Sequence, residues 1–140
     1  MNNTSKRRVV VLSIALLIAV LHIINIRSLL QGEWKNLYSS YFSDVALPFT
    51  TYFLLCQVED GEHIRLPWWA KFGLAFLLPS ALETLQYFGI EALGVTFDPL
   101  DYLAYGIGAV CAALVDTQVF ARVFKFWKLE KIESQTGGTR

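Results

Sequence analysis

Charged residues are scarce in this chain, and neither sign dominates. Only 17% of its 140 residues are Asp, Glu, Lys or Arg, and twelve basic residues balance twelve acidic ones. A nucleic-acid-binding surface needs an excess of basic residues, so this composition argues against a nucleic-acid partner. Cysteine and histidine are scarcer still, with two of each. Cys56 and Cys111 both fall in apolar runs, which predicts buried thiols rather than a disulfide or a metal pair.

Apolar residues, by contrast, are abundant. They make up 54% of the sequence, and they are gathered into long runs, which indicates a membrane as the solvent. The predicted fold is an all-α, four-helix transmembrane bundle. Its parts are a polar N-terminus (1–8), spans at about 9–26, 42–58, 67–90 and 99–124, and a polar tail (125–140). The first span resembles a signal peptide, but no small-x-small cleavage site follows it, so we interpret it as an uncleaved helix.

The basic residues predict the orientation of the spans. Arg27 and Lys35 fall at one end of the predicted bundle. All the others fall at the opposite end: Lys6, Arg7, Arg8, Arg65, Lys71, Arg122, Lys125, Lys128, Lys131 and Arg140. Because positive residues favour the cytoplasmic side, both termini are predicted to be cytoplasmic in a multi-pass protein of the inner membrane.

Five polar side chains are predicted to meet in the outer half of this bundle. Glu83 and Gln86 stand three residues apart and so share one face of the third helix. Counting 1.5 Å per residue places them at the depth where Asp44 begins the second helix and where Asp98 and Asp101 begin the fourth. An ionisable group at such depth normally faces the bundle interior and finds a partner. The expected site is an outward-facing acidic cleft.

Other residues are expected to support this cleft. His22 and Arg27, on and just after the first helix, are the candidate counter-ions for Glu83. Gly106, Gly108 and Ala112 form a small-residue face that favours close helix packing. Asp116, near the inner end of the fourth helix, is expected to be solvated or paired with a basic residue.

A structural interpretation of the two aspartates is equally compatible with the sequence. Asp98 precedes Pro99 at the start of a helix, where Asp is a preferred cap and Pro a preferred first residue. Asp101 lies in the first turn, where a negative charge complements the helix dipole. Both acids could therefore serve the helix rather than a ligand.

The spacing of these residues resembles that of the VanZ-like family of small integral membrane proteins. That family has an E-x-x-Q pair at the end of one helix and an R-x-x-D-x-x-D-x-x-x-N-x-x-G pattern at the start of the next. Glu83 and Gln86 match the pair, and Asp98, Asp101 and Gly108 match the second pattern. An earlier element, an Asp followed by a Tyr eight residues on, is matched by Asp44 and Tyr52.

Three positions depart from the family pattern. Val95 stands at the usual Arg, Tyr105 at the usual Asn, and Pro48 where a His is frequent. The resemblance covers most of the chain, from residue 44 to residue 113, and describes a divergent member. It implies an association with resistance to glycopeptide or lipopeptide antibiotics, as in some relatives, without a settled biochemical activity.

The leading hypothesis from the sequence is a membrane protein whose cleft binds membrane lipid, a lipid-linked envelope precursor or an amphipathic peptide, without a cofactor. One alternative is a membrane-embedded enzyme that uses the carboxylates as acid and base or to hold a divalent metal. No nucleophile–base pair and no H-E-x-x-H motif supports that alternative. The other is a structural or assembly subunit of a membrane complex. Homo-oligomer formation is left open.

Overall fold

The computed structural model describes residues 2–24, 30–58, 66–90 and 97–127. Within these ranges the chain is all-helical. Helices α1 (Asn3–Ile23), α2 (Glu33–Val58), α3 (Trp68–Tyr87) and α4 (Pro99–Leu114) are followed by a π-helical turn, the short helix α5 and a 3₁₀ turn. The last three span Val115–Phe120, Ala121–Val123 and Lys125–Trp127. The predicted all-α fold is confirmed.

Local sequence accounts for where several helices begin and end. The Asn2 side chain caps α1 by accepting a hydrogen bond from the Ser5 N–H at 2.7 Å. Asp98 caps α4 in the same way through the Leu100 N–H at 2.9 Å, with Pro99 at the first helical position. This predicted cap is confirmed. After α3, Gly89 takes a φ of 77° and closes the helix in a Schellman arrangement, a conformation that glycine adopts without strain.

The second helix starts earlier than the predicted second span. It begins at Glu33, directly after Gly32 with a φ of 60°, rather than near residue 42. Apart from Leu37, the intervening residues are polar or amphipathic, and none of them is Pro or Gly. They therefore continue a helix, although the segment is too polar to be recognised as part of an apolar span.

Helix α2 packs most extensively on α4, and α4 also contacts α3. Helix α1 contacts α2 and the 3₁₀ turn. Buried residues recur at spacings of three or four along each central helix: Pro48, Tyr52 and Cys56 on α2, Lys71, Ala75, Pro79 and Glu83 on α3, and Tyr105, Gly108, Ala112 and Asp116 on α4. On α3 and α4 the small residues lie in the middle of the row and the polar ones at its two ends.

Of the described residues, only the helical stretch Pro99–Val123 is both long and apolar enough to cross a membrane. It contains 25 residues, and its mean hydropathy is 1.5 over the most apolar window. By length and composition alone, this stretch could therefore cross a membrane. The four-span bundle remains a prediction.

Candidate functional site

A cavity of about 530 Å³ lies near the end of the bundle where α3 ends and α4 begins, and α2 lines it with residues 43–50, about three turns after its own start. Four of the five predicted site residues, Asp44, Glu83, Gln86 and Asp101, line it, and so does the predicted partner His22. The rest of the described lining is apolar or uncharged: Ile18, Ser43, Ala46, Leu47, Thr50 and Tyr105. Carboxylates from three helices thus face an apolar wall contributed by α1 and α2.

Glu83 is the most deeply buried acid of this group, with 3% of its surface exposed. Its Oε1 accepts a hydrogen bond from the backbone N–H of Asp98 at 2.9 Å, and its Oε2 accepts a longer one from the Tyr105 hydroxyl at 3.4 Å. One donor is the N-cap of α4 and the other lies about two turns into that helix. Glu83 therefore ties the end of α3 to α4, and its two oxygens already have protein donors.

The side chain of Asp98 does not line the cavity. Its Oδ1 caps α4, and its N–H donates to Glu83. A purely structural role accounts for this residue within the described part of the chain.

Asp44 and Asp101 differ from these two acids. Both are half-buried and line the cavity, and neither side chain makes a hydrogen bond to another described residue. The negative charges of Glu83 and Asp98 act on both carboxylates, and that of Asp44 acts on Asp101. No lysine or arginine is among the described lining residues. The cavity thus has two acceptor groups without a described protein donor.

Of the two predicted counter-ions of Glu83, only His22 lies among the described residues. His22 lies on the cavity wall, with its Nε2 3.5 Å from the Ser43 hydroxyl and its ring 5.7 Å from that of Phe42. Its described contacts do not include Glu83. Arg27 lies outside the described residues, and so does Val95.

The three predicted packing residues of α4 differ in how closely neighbouring atoms approach them. Gly108 is pressed against the α2 backbone at Val45 and against the ring of Pro48, so closely that a Cβ would collide there. Ala112 is fully buried. Gly106 is half-buried and faces Phe76, where a Cβ would make an ordinary contact at 3.9 Å.

A second polar centre lies at the opposite end of the bundle, where Asp116 has the basic partner that was one of its two predicted environments. Asp116 is buried, and its Oδ2 lies 3.1 Å from the Lys71 ammonium and 2.7 Å from the Tyr52 hydroxyl. Its Oδ1 accepts a hydrogen bond from the indole N–H of Trp127 at 2.6 Å. Lys71 also approaches the Sγ of Cys56 at 3.4 Å. The expected basic partner exists, but the pair is buried rather than solvated.

Both predicted polar termini take part in this centre. Arg7, placed by the sequence in the polar N-terminus, is buried within α1, donates to the Cys56 carbonyl at 3.1 Å and lies 5.1 Å from the centre of the Trp127 ring. Trp127, placed in the polar tail, is buried as well. Aromatic contacts with Phe53 and Phe120 hold it there, so the 3₁₀ turn Lys125–Trp127 packs onto the bundle.

The cysteine prediction is half correct. Neither thiol is part of a disulfide, and Cys56 is buried, but Cys111 is exposed on α4. The described residues contain no group of three or more His, Cys, Asp or Glu side chains that could hold a metal ion.

Comparison with known proteins adds no further information. No family model matches the sequence, and neither the curated proteins nor the solved structures include a significant match.

Proposed function

We propose that this chain is a multi-pass membrane protein with both termini in the cytoplasm. Helices α1, α2 and α3 contain 21, 26 and 20 residues, and about 20 helical residues match a hydrocarbon core of about 30 Å. Their outer surfaces carry exposed leucines, such as Leu16 and Leu17 on α1 and Leu77 on α3. These side chains would face lipid. The cavity then opens toward the outer leaflet, and the Asp116 centre lies toward the cytoplasm.

Cysteine labelling of spheroplasts tests this topology. Gln31→Cys precedes α2 and Lys125→Cys follows α5, and both positions are exposed. A membrane-impermeant thiol reagent is expected to label Gln31→Cys in intact spheroplasts and Lys125→Cys only after lysis. The wild-type chain, with Cys56 and Cys111, gives the background. Labelling of Lys125→Cys above that background before lysis would contradict the proposed orientation.

The cavity at the outer end binds the cationic part of an amphipathic molecule. The observation that carries this proposal is the joint presence, in one cavity, of two carboxylates without described hydrogen-bond donors and an apolar wall. Sites for small molecules are typically apolar concavities with a few convergent polar groups. A cationic group would neutralise Asp44 and Asp101, while the apolar part of the ligand would contact Ile18 and Leu47.

The resemblance to the VanZ-like family supports an envelope component as the ligand. A lipid-linked precursor or a lipopeptide would combine polar and apolar parts, as the cavity requires. In this proposal, resistance to a glycopeptide or lipopeptide antibiotic would follow from binding at the outer leaflet.

Mass spectrometry of the protein extracted in native lipid particles tests this binding. The wild type is expected to retain a cationic amphipathic species, and Asp44→Asn with Asp101→Asn is expected to lose it, because each substitution removes a negative charge and little volume. Asp98→Asn is the matched control, since it changes charge in the same region while Asn still caps a helix. Equal retention by all three proteins, or only bulk lipid in all of them, would contradict the proposal.

A further inference from the structure

The acids around the cavity divide into two pairs by what they already bind. Glu83 and Asp98 accept hydrogen bonds from backbone or side-chain donors of α4 and its N-cap. Asp44 and Asp101 face the cavity and accept none from the described residues. Half-buried carboxylates gain most from a partner that supplies both positive charge and hydrogen-bond donors. The ligand should therefore carry N–H groups.

The cavity wall discriminates between kinds of cation. A quaternary ammonium has no N–H and is typically recognised by a cage of aromatic faces. Here Tyr105 and His22 are the only rings in the described lining, whereas Ser43 and Thr50 add hydroxyl oxygens to the two carboxylates. A cavity wall with several hydrogen-bond acceptors and few aromatic rings suits a primary ammonium, which has three N–H donors.

The packing of α1 leaves room for an apolar chain. This helix is held at its inner end by Arg7 and Val11 and at its outer end by the Tyr38 hydroxyl, which donates to the Leu21 carbonyl at 3.0 Å. Its substantial contacts within the described ranges are with α2 and the 3₁₀ turn, and those with α3 and α4 are marginal at most. Ile18 nevertheless lines the same cavity as Glu83 and Asp101. The side of the cavity between α1 and the α3–α4 pair is thus weakly closed and partly apolar.

From these observations we infer that the ligand is a primary ammonium group on an apolar chain, which enters sideways between α1 and the α3–α4 pair. This inference rests on the proposed function and specifies its ligand. The ammonium lies between Asp44 and Asp101, and the chain runs past Ile18 toward the bilayer. A lipid headgroup and a free alkylamine both present this chemistry.

Three probes separate the parts of this inference: dodecylamine, dodecyltrimethylammonium and butylamine. Each is added to the protein in phosphatidylcholine nanodiscs at pH 7, and the thermal unfolding midpoint is followed against probe concentration, because a ligand that binds the folded state raises it. Dodecylamine is expected to raise the midpoint of the wild type and of Asp98→Asn. Hydrogen bonds to charged groups are strong, so their loss should weaken binding about tenfold or more relative to dodecylamine on the wild type. We expect this loss for dodecyltrimethylammonium on the wild type. We also expect it for dodecylamine on the double variant Asp44→Asn/Asp101→Asn.

Each outcome of this experiment tests one part of the inference. Equal, aspartate-dependent stabilisation by dodecylamine and dodecyltrimethylammonium would overturn the primary ammonium and leave the proposed cation binding intact. Stabilisation by butylamine as strong as by dodecylamine would overturn the apolar chain and its sideways entry. If no probe stabilises the wild type, or if the double variant responds as the wild type does, cation binding itself fails. The single variants Asp44→Asn and Asp101→Asn give the same comparison if the double variant does not fold.

A parallel experiment with phosphatidylethanolamine tests whether the bound ammonium belongs to a lipid headgroup or to a free amine. Replacing part of the phosphatidylcholine by phosphatidylethanolamine with the same chains changes only the headgroup. If the lipid is the source, this replacement is expected to raise the midpoint of the wild type and to weaken the response to dodecylamine, and both effects should be absent from the double variant. An undiminished dodecylamine response would assign the site to a free amine.

Discussion

Replacing Gly108 with alanine is expected to lower the free energy of unfolding by about 3 kcal/mol, at the upper end of the range for overpacking. The new Cβ would collide with the backbone carbonyl of Val45 and lie 2.7 Å from the Cγ of Pro48. A backbone atom and a proline ring cannot move aside as a flexible side chain does. The helices α2 and α4 would have to separate, and theirs is the most extensive helix–helix interface in the described fold.

Gly106→Ala is the matched control for this prediction. It lies two residues away on the same helix, and its Cβ would meet only the Phe76 ring at 3.9 Å. Because alanine favours a helix over glycine by about 1 kcal/mol, this variant is expected to be as stable as the wild type or slightly more stable. The measurement is the thermal unfolding midpoint in mild detergent, followed by circular dichroism. Equal midpoints for the two variants would contradict the described approach of α2 to α4.

Much of the fold can be predicted from sequence because its signals are local. The cap at Asp98 and the proline after it define the start of α4 within a few residues of sequence. The start of α2 cannot be predicted from hydropathy, since hydropathy shows where a chain becomes apolar and not where its helix begins. Glu33 opens the helix well before the apolar run, and the better signal was Gly32 just before it.

The cavity residues could be predicted by counting depth along each helix. Asp44 does not begin α2, as the count assumed, because the helix already starts at Glu33. The count still brings Asp44, Glu83 and Asp101 together, because it was made from where each apolar run begins and not from where each helix begins. Their division of roles could not be predicted. It depends on which oxygens of Glu83 receive donors from α4 and its N-cap, and those distances are a property of the folded chain.

The burial of the centre around Asp116 was missed for a different reason. Its charge alone places Lys71 with the other basic residues at one end of the predicted bundle. However, Lys71, Ala75, Pro79 and Glu83 follow one another at intervals of four residues, which places Lys71 on the interior face of α3. Trp127 was hidden by the lysines on either side of it, which give the segment a polar average. Spacing along a helix face was the available signal, and average polarity obscured it.

Removing either charge of the Lys71–Asp116 pair alone is expected to cost about 3–5 kcal/mol of unfolding free energy. Both side chains are at least nine-tenths buried, and their charged atoms are 3.1 Å apart. Lys71→Met would leave a buried carboxylate with Tyr52 and Trp127 as described donors, and Asp116→Asn would leave a buried ammonium beside a neutral amide. Thermal or denaturant unfolding in mild detergent measures each loss.

The double variant Lys71→Met/Asp116→Asn separates the ion pair from the rest of the network. It contains neither charge, while the single oxygen of the new amide can still accept from the Trp127 indole and the amide NH2 can donate to the Tyr52 hydroxyl. Its loss of stability is therefore expected to be clearly smaller than the sum of the single losses. A coupling of about 1–3 kcal/mol would be in the range measured for directly contacting residues. Arg122→Met is the control, because Arg122 is exposed and hydrogen-bonds to Gln118 within its own turn. Losses that simply add would show that Lys71 and Asp116 stabilise the bundle through other neighbours, and the inner end would then be held chiefly by the aromatic packing of Trp127.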